Sequence, residues 1–259
     1  KREVWNMSSS ASPDIVTNGL VLCLDATTKK SYPGSGTTWF DRSGNGNNFT
    51  LMNTPTFEDA QASGLRFNPS QLEYATLNIT NINNLKIQNF LANNHAISVW
   101  FNLSTQSPTM TDGTESHQAL IIWPGNHCGI TVNSSSLTWG LWNSTMNATI
   151  NGTCPFLFST NLWYNATVIY DKSTSPNKVL FYINGSFINS SDVTSIVSMA
   201  SASGNPPNII NIGAARADSN YKWFINNGKI GSVSLYNRAL TTQEIKQNFN
   251  ATKSKFGLL

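Results

Sequence analysis

The segment 95–103 constrains the fold more than any other, because its apolar residues recur at every second position. In an extended strand, one side would carry the four apolar side chains of Ile97, Val99, Phe101 and Leu103. A helix would spread the same positions around its axis. The segment therefore predicts a strand with one face in a core.

Short candidate strands separated by polar turns continue along the chain from Ile15. They are the segments 19–25, 119–123, 129–132, 137–142, 163–170, 178–183, 209–212 and 228–236. Asn184 and Gly185 lie between two apolar runs, which is a strong signal of a two-residue hairpin turn. Such a series is typical of an all-β sandwich, and we expect two antiparallel sheets.

One segment near the C-terminus predicts a helix. Thr241 or Thr242 can cap its start, and Glu244 would complete a Thr-x-x-Glu capping box with Thr241. Ile245 and Phe249 are four residues apart, so they would share one face of the helix. We expect this to be the one short C-terminal helix of the fold.

Residues 1–14 differ from the rest of the chain, because their middle is rich in serine and they show little periodicity. Terminal segments of this kind are ordered only where a partner holds them. We expect an N-terminal arm at 1–14, followed by a single domain at 15–259. Trp5 is the one large apolar anchor in the arm, and we expect it to contact a neighbouring chain.

Charged residues are sparse and form no patch. They make up 11% of the chain, and 16 Lys and Arg against 13 Asp and Glu leave a net charge of +3. A nucleic-acid-binding surface usually needs a basic patch or stripe, so we expect no nucleic-acid partner. No apolar run approaches the roughly 20 residues that span a bilayer, so we expect no membrane insertion.

The loop 41–47 copies the start of a calcium-binding loop, in which oxygens at positions 1, 3, 5 and 7 surround the ion. Those oxygens would come here from Asp41, Ser43, Asn45 and the carbonyl of Asn47. Asp25 could add a second carboxylate. Met52 stands where a bidentate glutamate is expected, so any calcium would be held weakly. The alternative is a metal-free turn, because Asp and Asn side chains bond their own backbone.

Catalytic side chains are not grouped in this sequence. Glycoside hydrolysis needs two carboxylates facing one another across the sugar. Glu58 and Asp59 are adjacent, so a strand would point them to opposite faces. His127 and Cys128 are also adjacent, which rarely gives the geometry of a thiolate–imidazole pair. We therefore expect no enzyme activity.

The chain has three cysteines, Cys23, Cys128 and Cys154, and their spacing is not that of a metal site. An odd number argues against a disulfide framework. Buried free thiols are expected, and a single disulfide between the second and third cysteines is the alternative.

Tryptophans are the remaining signal of binding, because their flat apolar faces and polar edges suit sugar rings. Most are expected to lie in the core. Trp123 precedes a Pro-Gly-Asn turn and Trp223 follows a polar loop. These two are therefore the candidates for ligand contact.

Several segments carry a family resemblance. They are GLVLCLDA at 19–26, the block 31–51 that ends in WFDRSGNGNNFTL, HAISVWFNL at 95–103, NLWYNATVIYD at 161–171, VLFYINGSFI at 179–188, IINIGAAR at 209–216 and the block 228–259. In this order they resemble the laminin G-like branch of the concanavalin A-like jelly rolls. The resemblance implies a jelly-roll β-sandwich that binds carbohydrates or proteins, with calcium in some members.

The opening and closing blocks look most like copies found in virion proteins of tailed phages and aquatic viruses. That likeness implies a virion surface protein, such as a capsid decoration, fibre or host-attachment module. Its partners would be other virion subunits through the arm and a host surface glycan, and a homo-oligomer is one of its expected states. The alternative is a secreted cellular adhesion module that requires calcium and carries glycans on its Asn-x-Ser/Thr sequons.

Overall fold

The computed structural model describes residues 14–58, 63–78, 90, 93–106, 117–123, 128–133, 135–143, 148–193, 209–215 and 224–259. Its strands, in chain order, are β1 Leu20–Asp25, β2 Thr38–Trp39, β3 Phe49–Met52, β4 Thr56–Glu58, β5 Gly64–Arg66, β6 Tyr74–Asn78, β7 His95–Asn102, β8 Gln118–Trp123, β9 Cys128–Val132, β10 Ser136–Asn143, β11 Ala148–Pro155, β12 Trp163–Asp171, β13 Asn177–Ile183, β14 Ser186–Val193, β15 Ile209–Ile212 and β16 Lys229–Tyr236. The helix α1 spans Thr242–Thr252 and is followed by a 3-10 turn at Lys253–Phe256; another 3-10 turn spans Pro69–Gln71. No helix in these ranges is long and apolar enough to cross a membrane.

The strands form two antiparallel sheets. The first sheet has the order β14-β13-β12-β7-β16-β5-β4, and β1 also pairs with β16. The second sheet has the order β11-β10-β9-β8-β15-β6-β3-β2. The predicted all-β sandwich of two antiparallel sheets is confirmed, although β2 to β6 and β11 were not expected as strands.

The core lies between the two sheets and follows the alternation of β7. Ile97, Val99 and Phe101 are fully buried there, and Leu103 continues the row just beyond the strand. Burying one such side chain stabilises the fold by about 1.5–3 kcal/mol.

The three cysteines are free thiols and all are buried, so the predicted thiols are confirmed and the alternative disulfide is not formed.

The hairpin between β13 and β14 turns at the predicted dipeptide. Asn184 has φ +50° and Gly185 has φ +74°, as a two-residue turn with the twist of a hairpin requires. Ile183 pairs directly with Ser186 across the turn. A Cβ at Gly185 would also lie 2.9 Å from the Cβ of Phe249, so only glycine fits between the turn and α1.

The helix α1 packs on the outer face of the first sheet and begins with the predicted capping box. The Thr241 hydroxyl accepts from the Glu244 N–H, while the Glu244 carboxylate accepts from the Thr241 N–H. The Trp100 ring points away from the core and stacks on Phe249 and Phe256 at 5.7 and 4.3 Å between centroids. The C-terminal segment therefore buries a tryptophan that the strand alone would leave exposed.

The two sheets are joined along one side by a seam between their outermost strands, β14 and β11. The Ser191 hydroxyl donates to the Thr153 carbonyl and accepts from the Thr153 N–H. Asn189 Nδ2 also donates to the Thr153 carbonyl at 3.4 Å. Gly152 lets the strands approach, because a Cβ there would lie 2.9 Å from the Cβ of Val179 in the neighbouring strand β13.

The start of the predicted domain is held by α1. The Val16 N–H donates to Asn248 Oδ1 at 2.7 Å, and Gln247 Nε2 donates to the Asp14 carbonyl at 2.7 Å. Residues 1–13 of the predicted arm lie outside the described residues. The division into arm and domain therefore stays a prediction.

Candidate functional site

Three loops meet at one end of the first sheet because β7 is antiparallel to both of its neighbours, β12 and β16. The start of β7 therefore lies beside the ends of β12 and β16. The loops border a shallow, open cleft of about 550 Å³, here called the end cleft. Its lining residues are Asn93, Asn94, Lys172, Ser173, Asn237 and Arg238.

One side-chain and one backbone hydrogen bond hold these loops in place. Asn94 Oδ1 accepts from the Lys172 N–H at 2.8 Å, which joins the first loop to the second. The Asn237 N–H donates to the Gly19 carbonyl at 2.9 Å, which joins the third loop to the start of β1. The cleft is therefore formed before any ligand arrives, and this lowers the entropy lost on binding.

Arg238 lines the cleft but directs its charge into the protein. Its Nη1 and Nη2 donate to Glu244 Oε2 and Oε1 at 2.9 and 2.5 Å. This two-point pairing lowers the pKa of Glu244 to about 2 and raises the pKa of Arg238. Arg238 is therefore a structural cation that links the cleft to α1.

His95 follows the first loop as the first residue of β7 and is completely buried. Its Nδ1 is 2.9 Å from the Asn93 carbonyl, and because a carbonyl only accepts, Nδ1 carries the hydrogen. The rings of Phe90, Tyr170 and Trp139 surround it at centroid distances of 4.7, 5.3 and 6.0 Å. Burial lowers the pKa of His95 to about 4, so the imidazole is neutral at pH 7 and anchors the first loop.

Gly19 supports the third loop from behind. Its φ is +79°, a conformation that side chains rarely adopt. A Cβ at this position would lie 3.0 Å from Arg238 Cγ and 3.1 Å from Asn237 Oδ1. Any larger residue would therefore press on two residues that line the cleft.

The loop 41–47, in contrast, is built around the carboxylate of Asp41. Oδ1 accepts from the N–H groups of Cys23 and Ser43 at 2.9 and 2.8 Å. Oδ2 accepts from the Ser43 hydroxyl at 2.7 Å and from the Asn47 N–H at 3.0 Å. Asn45 and Asn47 use their Nδ2 groups to donate to the Val21 carbonyl. These contacts are those of a hydrogen-bonded turn.

The donor set of this loop fits calcium poorly. Asp41 is its one carboxylate, and both oxygens already accept hydrogens. Asp25 accepts from Thr27 through Oδ1 and from the Lys255 ammonium through Oδ2 at 2.8 Å, so its bonds are directed elsewhere. Within the described ranges no group of three or more His, Cys, Asp or Glu could hold a metal ion. A calcium site at Asp41, Ser43, Asn45, Asn47 and Asp25 stays a prediction.

Of the tryptophans singled out from the sequence, Trp123 is described by the structure, and it does not line the cleft. Trp123 is only 2% exposed, and every other residue of β8 is buried too. Its ring stacks on that of Phe90, with 5.6 Å between the centroids. The structure contradicts the exposure that stacking on a sugar requires, which corrects the expectation for this residue. Trp223 and Trp5 lie outside the described residues.

The described glutamates are each engaged in structural contacts. Glu58 pairs with Lys229 and Arg66, and the Lys229 hydrogen bond lowers its pKa. Glu73 accepts from the Asn68 N–H at 2.7 Å, and burial raises its pKa. Glu244 pairs with Arg238, as above. None of these contacts opposes two carboxylates across a cleft, the arrangement that glycoside hydrolysis needs.

The thiols have no nucleophilic character either. Burial raises the pKa of Cys23 to about 11 and raises the pKa values of Cys128 and Cys154. A thiol with a raised pKa stays protonated at neutral pH, and the thiolate is the reactive form. The described part of the chain therefore suits binding better than covalent chemistry.

Sequence reasoning missed the residues of the end cleft. Asn93 and Asn94 belong to no motif, and Ser173 is one of many serines. Asn237 lies in the block 228–259, which was quoted only for its family resemblance. The only available signal was position, since each flanks the end of a strong candidate strand. Antiparallel pairing of the three strands then brings them together.

Comparison with known proteins supports the fold. No curated protein matches the chain in sequence. Among solved structures, the binding domain of botulinum neurotoxin DC in complex with rat synaptotagmin II has a TM-score of 0.65 at 14% identity. The same domain in complex with SialylT has a TM-score of 0.63 at 15% identity. In both cases the match covers 91% of this chain and 52% of the other.

The chain thus spans about half of these toxin domains, and at such identity the likeness shows the fold alone. A botulinum neurotoxin type G receptor binding domain is also similar, with 16% identity and a TM-score of 0.58. Residues 73–246, more than half of the chain, match the model of a laminin G family. With the two antiparallel sheets and the C-terminal helix, this match shows that the chain belongs to the concanavalin A-like lectin/glucanases superfamily.

Proposed function

We propose that this chain is a non-enzymatic binding module that recognises glycans at the end cleft. The observation that carries the proposal is the convergence of three loops, which places three asparagine amides and a serine hydroxyl around one open cleft. The superfamily supports it, because the lectins named in its description are carbohydrate-binding proteins. The structural engagement of the described glutamates and the protonated thiols supports a binding role over a catalytic one.

The chemistry of the cleft suits sugar hydroxyls. A side-chain amide offers two N–H donors and a carbonyl acceptor, and a serine hydroxyl both donates and accepts. Each sugar hydroxyl also donates and accepts, so the two kinds of group are complementary. Few side chains need to be ordered on binding, because Asn94 is already held by Lys172 N and the third loop by Gly19.

The related structures are consistent with a binding role. The binding domain of botulinum neurotoxin DC was solved in complex with SialylT and, separately, in complex with rat synaptotagmin II. Solved structures that share this fold therefore include one in complex with a protein and one in complex with SialylT. By analogy we propose an extracellular or surface-exposed setting for this chain.

The finer proposal is that the module belongs to a virion surface, as a capsid decoration, fibre or host-attachment protein. It is supported by the likeness of the segments 31–51 and 228–259 to virion proteins. The arm at residues 1–14, with Trp5, would contact other virion subunits. Co-purification of the chain with intact virus particles is the expected result. Its absence from washed particles would count against the proposal.

The alternative is a secreted cellular adhesion module with glycans on its sequons. Two sequon asparagines, Asn102 and Asn165, are only 6% and 3% exposed, so they are closed to modification in the folded chain. Asn78 is exposed and could carry a glycan. The intact mass of the protein from its native source distinguishes the two proposals. An unmodified chain has a mass of 28.4 kDa, and a glycosylated chain would be heavier.

A glycan array tests the main proposal. Chain produced in bacteria should bind a subset of printed glycans, and Asn94→Ala and Asn237→Ala should each weaken that binding about tenfold. Asn78→Ala is the matched control, because it removes an exposed asparagine at the end of β6 in the other sheet. Equal binding by all four proteins, or no binding to any glycan, would overturn the proposal.

A further inference from the structure

The end cleft contains two cationic residues, but Arg238 is already committed within the chain. Besides its two bonds to Glu244, its Nε donates to the Asn18 carbonyl and its Nη1 to the Ala239 carbonyl, both at 3.1 Å. Four of the five N–H donors of the guanidinium thus have internal partners. An acidic ligand would have to displace Glu244 from a bidentate pair, which is among the stronger contacts in proteins.

Charge around the cleft is also balanced. The pKa of Glu244 is lowered to about 2 by its hydrogen bonds to Arg238, so this carboxylate stays ionised at physiological pH. In the second loop, the Asp171 carboxylate accepts from the Ser173 N–H at 2.8 Å, so one negative charge lies in the same loop as the Lys172 ammonium. A cleft attracts anions when it is lined by a surplus of positive charge, and the described residues supply no such surplus here.

The remaining polar groups of the cleft are neutral. Asn93 and Asn237 are exposed, and Asn94 is half-buried with its Oδ1 held by the Lys172 N–H. That bond leaves the Nδ2 amino group of Asn94 as its donor toward a ligand. Neutral amides bind hydroxyl groups without the cost of desolvating an ion.

We infer that the end cleft selects neutral, hydroxyl-rich oligosaccharides over acidic ones. This inference rests on the proposed function and names its ligand class. The residues that would make the selection are Asn94 and Asn237, which contact the sugar, and Glu244, which withholds the Arg238 charge from it.

Paired probes test the inference directly. Lactose, N-acetyllactosamine and mannotriose are immobilised on one carrier, beside sialylated or sulfated counterparts of the same cores. We expect the neutral member of a pair to bind about tenfold more tightly than the acidic one. Raising NaCl from about 50 mM to about 500 mM should change neutral binding by less than about twofold, because screening affects charged contacts.

Three variants locate the selectivity. Asn94→Ala should reduce neutral binding about tenfold, and Lys172→Gln, which removes a charge from the cleft lining, should lower acidic binding more than neutral binding. Glu244→Gln keeps a residue type that completes a capping box but removes the charge that engages Arg238. This variant should raise the acidic-to-neutral binding ratio by about threefold or more. A thermal melt of each variant confirms that it is folded.

The outcomes distinguish the inference from the proposed function. Preference for the acidic probes, with a steep loss in salt and in Lys172→Gln, would overturn the inference and leave glycan binding intact. An unchanged ratio in Glu244→Gln would also overturn it. Absence of binding to every probe would overturn both. Neutral preference that relaxes in Glu244→Gln supports both.

Discussion

The loop 41–47 and the end cleft are made of the same kinds of residue, yet they differ in what their polar groups contact. In the loop, Asp41 accepts four hydrogen bonds from residues at its own turn and on β1. In the cleft, the side chains come from three loops far apart in the chain, and Asn93 and Asn237 are exposed. Polar composition alone therefore does not mark a binding site; the direction of the hydrogen bonds does.

Removing the Asp41 carboxylate from the loop 41–47 should give the largest loss of stability. Asp41→Ala leaves the N–H groups of Cys23, Ser43 and Asn47 without their acceptor, and we expect a loss of about 2–3 kcal/mol in the free energy of unfolding. Urea unfolding measures it. Asp41→Asn, which keeps one acceptor oxygen, should lose less. Glycan binding by the folded protein should persist in both variants, and its loss would mean that the two regions are coupled.

Lowering the pH should reduce the free energy of unfolding through His95, next to the cleft. Its pKa is lowered from 6.5 in the unfolded chain to about 4 in the folded one, so the unfolded chain binds the proton more tightly. The stability is greatest well above pH 6.5 and is lost as the pH falls toward 4, by about 1–2 kcal/mol between pH 6.5 and 5. Unfolding measured at both pH values should show the decline. His95→Phe should remove most of it, and an unchanged slope would contradict the assignment.

Substituting Gly19, which supports the third loop of the cleft, should give an intermediate effect. Gly19→Ala forces a side chain into a positive φ and against Arg238, so we expect a loss of about 1–2 kcal/mol together with weaker glycan binding. Gly36→Ala is the matched control, because it has a similar φ of +94° but no atom within 4 Å of the added Cβ. Equal losses of binding in the two variants would show that the cleft does not depend on Gly19.

Calcium should give the smallest effect. If hydrogen bonds alone hold the loop 41–47, adding calcium to chelated protein should move the melting temperature by less than about 1 °C, since a ligand stabilises only the state that it binds. A rise of several degrees that disappears in Asp41→Asn would restore the calcium interpretation for this loop.

Local signals predicted much of the fold. The alternation in β7, the Asn184-Gly185 turn and the capping box of Thr241 and Glu244 each depend on neighbouring residues, and all three are confirmed. The strand β11 was not expected, because Asn151 and Gly152 in its middle form a turn-favouring pair and give no strand signal. Glycine is required at position 152 because a Cβ there would lie 2.9 Å from the Cβ of Val179, on a strand of the other sheet.

The site was beyond the reach of local signals. Trp123 was expected to be exposed because a Pro-Gly-Asn turn follows it, yet it belongs to a strand that is buried throughout. Asn94 and Asn237 come together only through the pairing of β7 with β16. No pattern within either segment encodes that meeting, so the cleft could be recognised only from the assembled sheet.

The seam between β14 and β11 affects how copies of this chain behave when they are present at high local concentration. An open sheet edge is a template on which another molecule can add a strand, and many proteins aggregate in that way. Here the last strand of each sheet is turned toward the other, and Ser191 fastens them through Thr153. Copies crowded side by side, on a particle or a cell, would therefore stay separate molecules along this edge, each with its own cleft open to the medium.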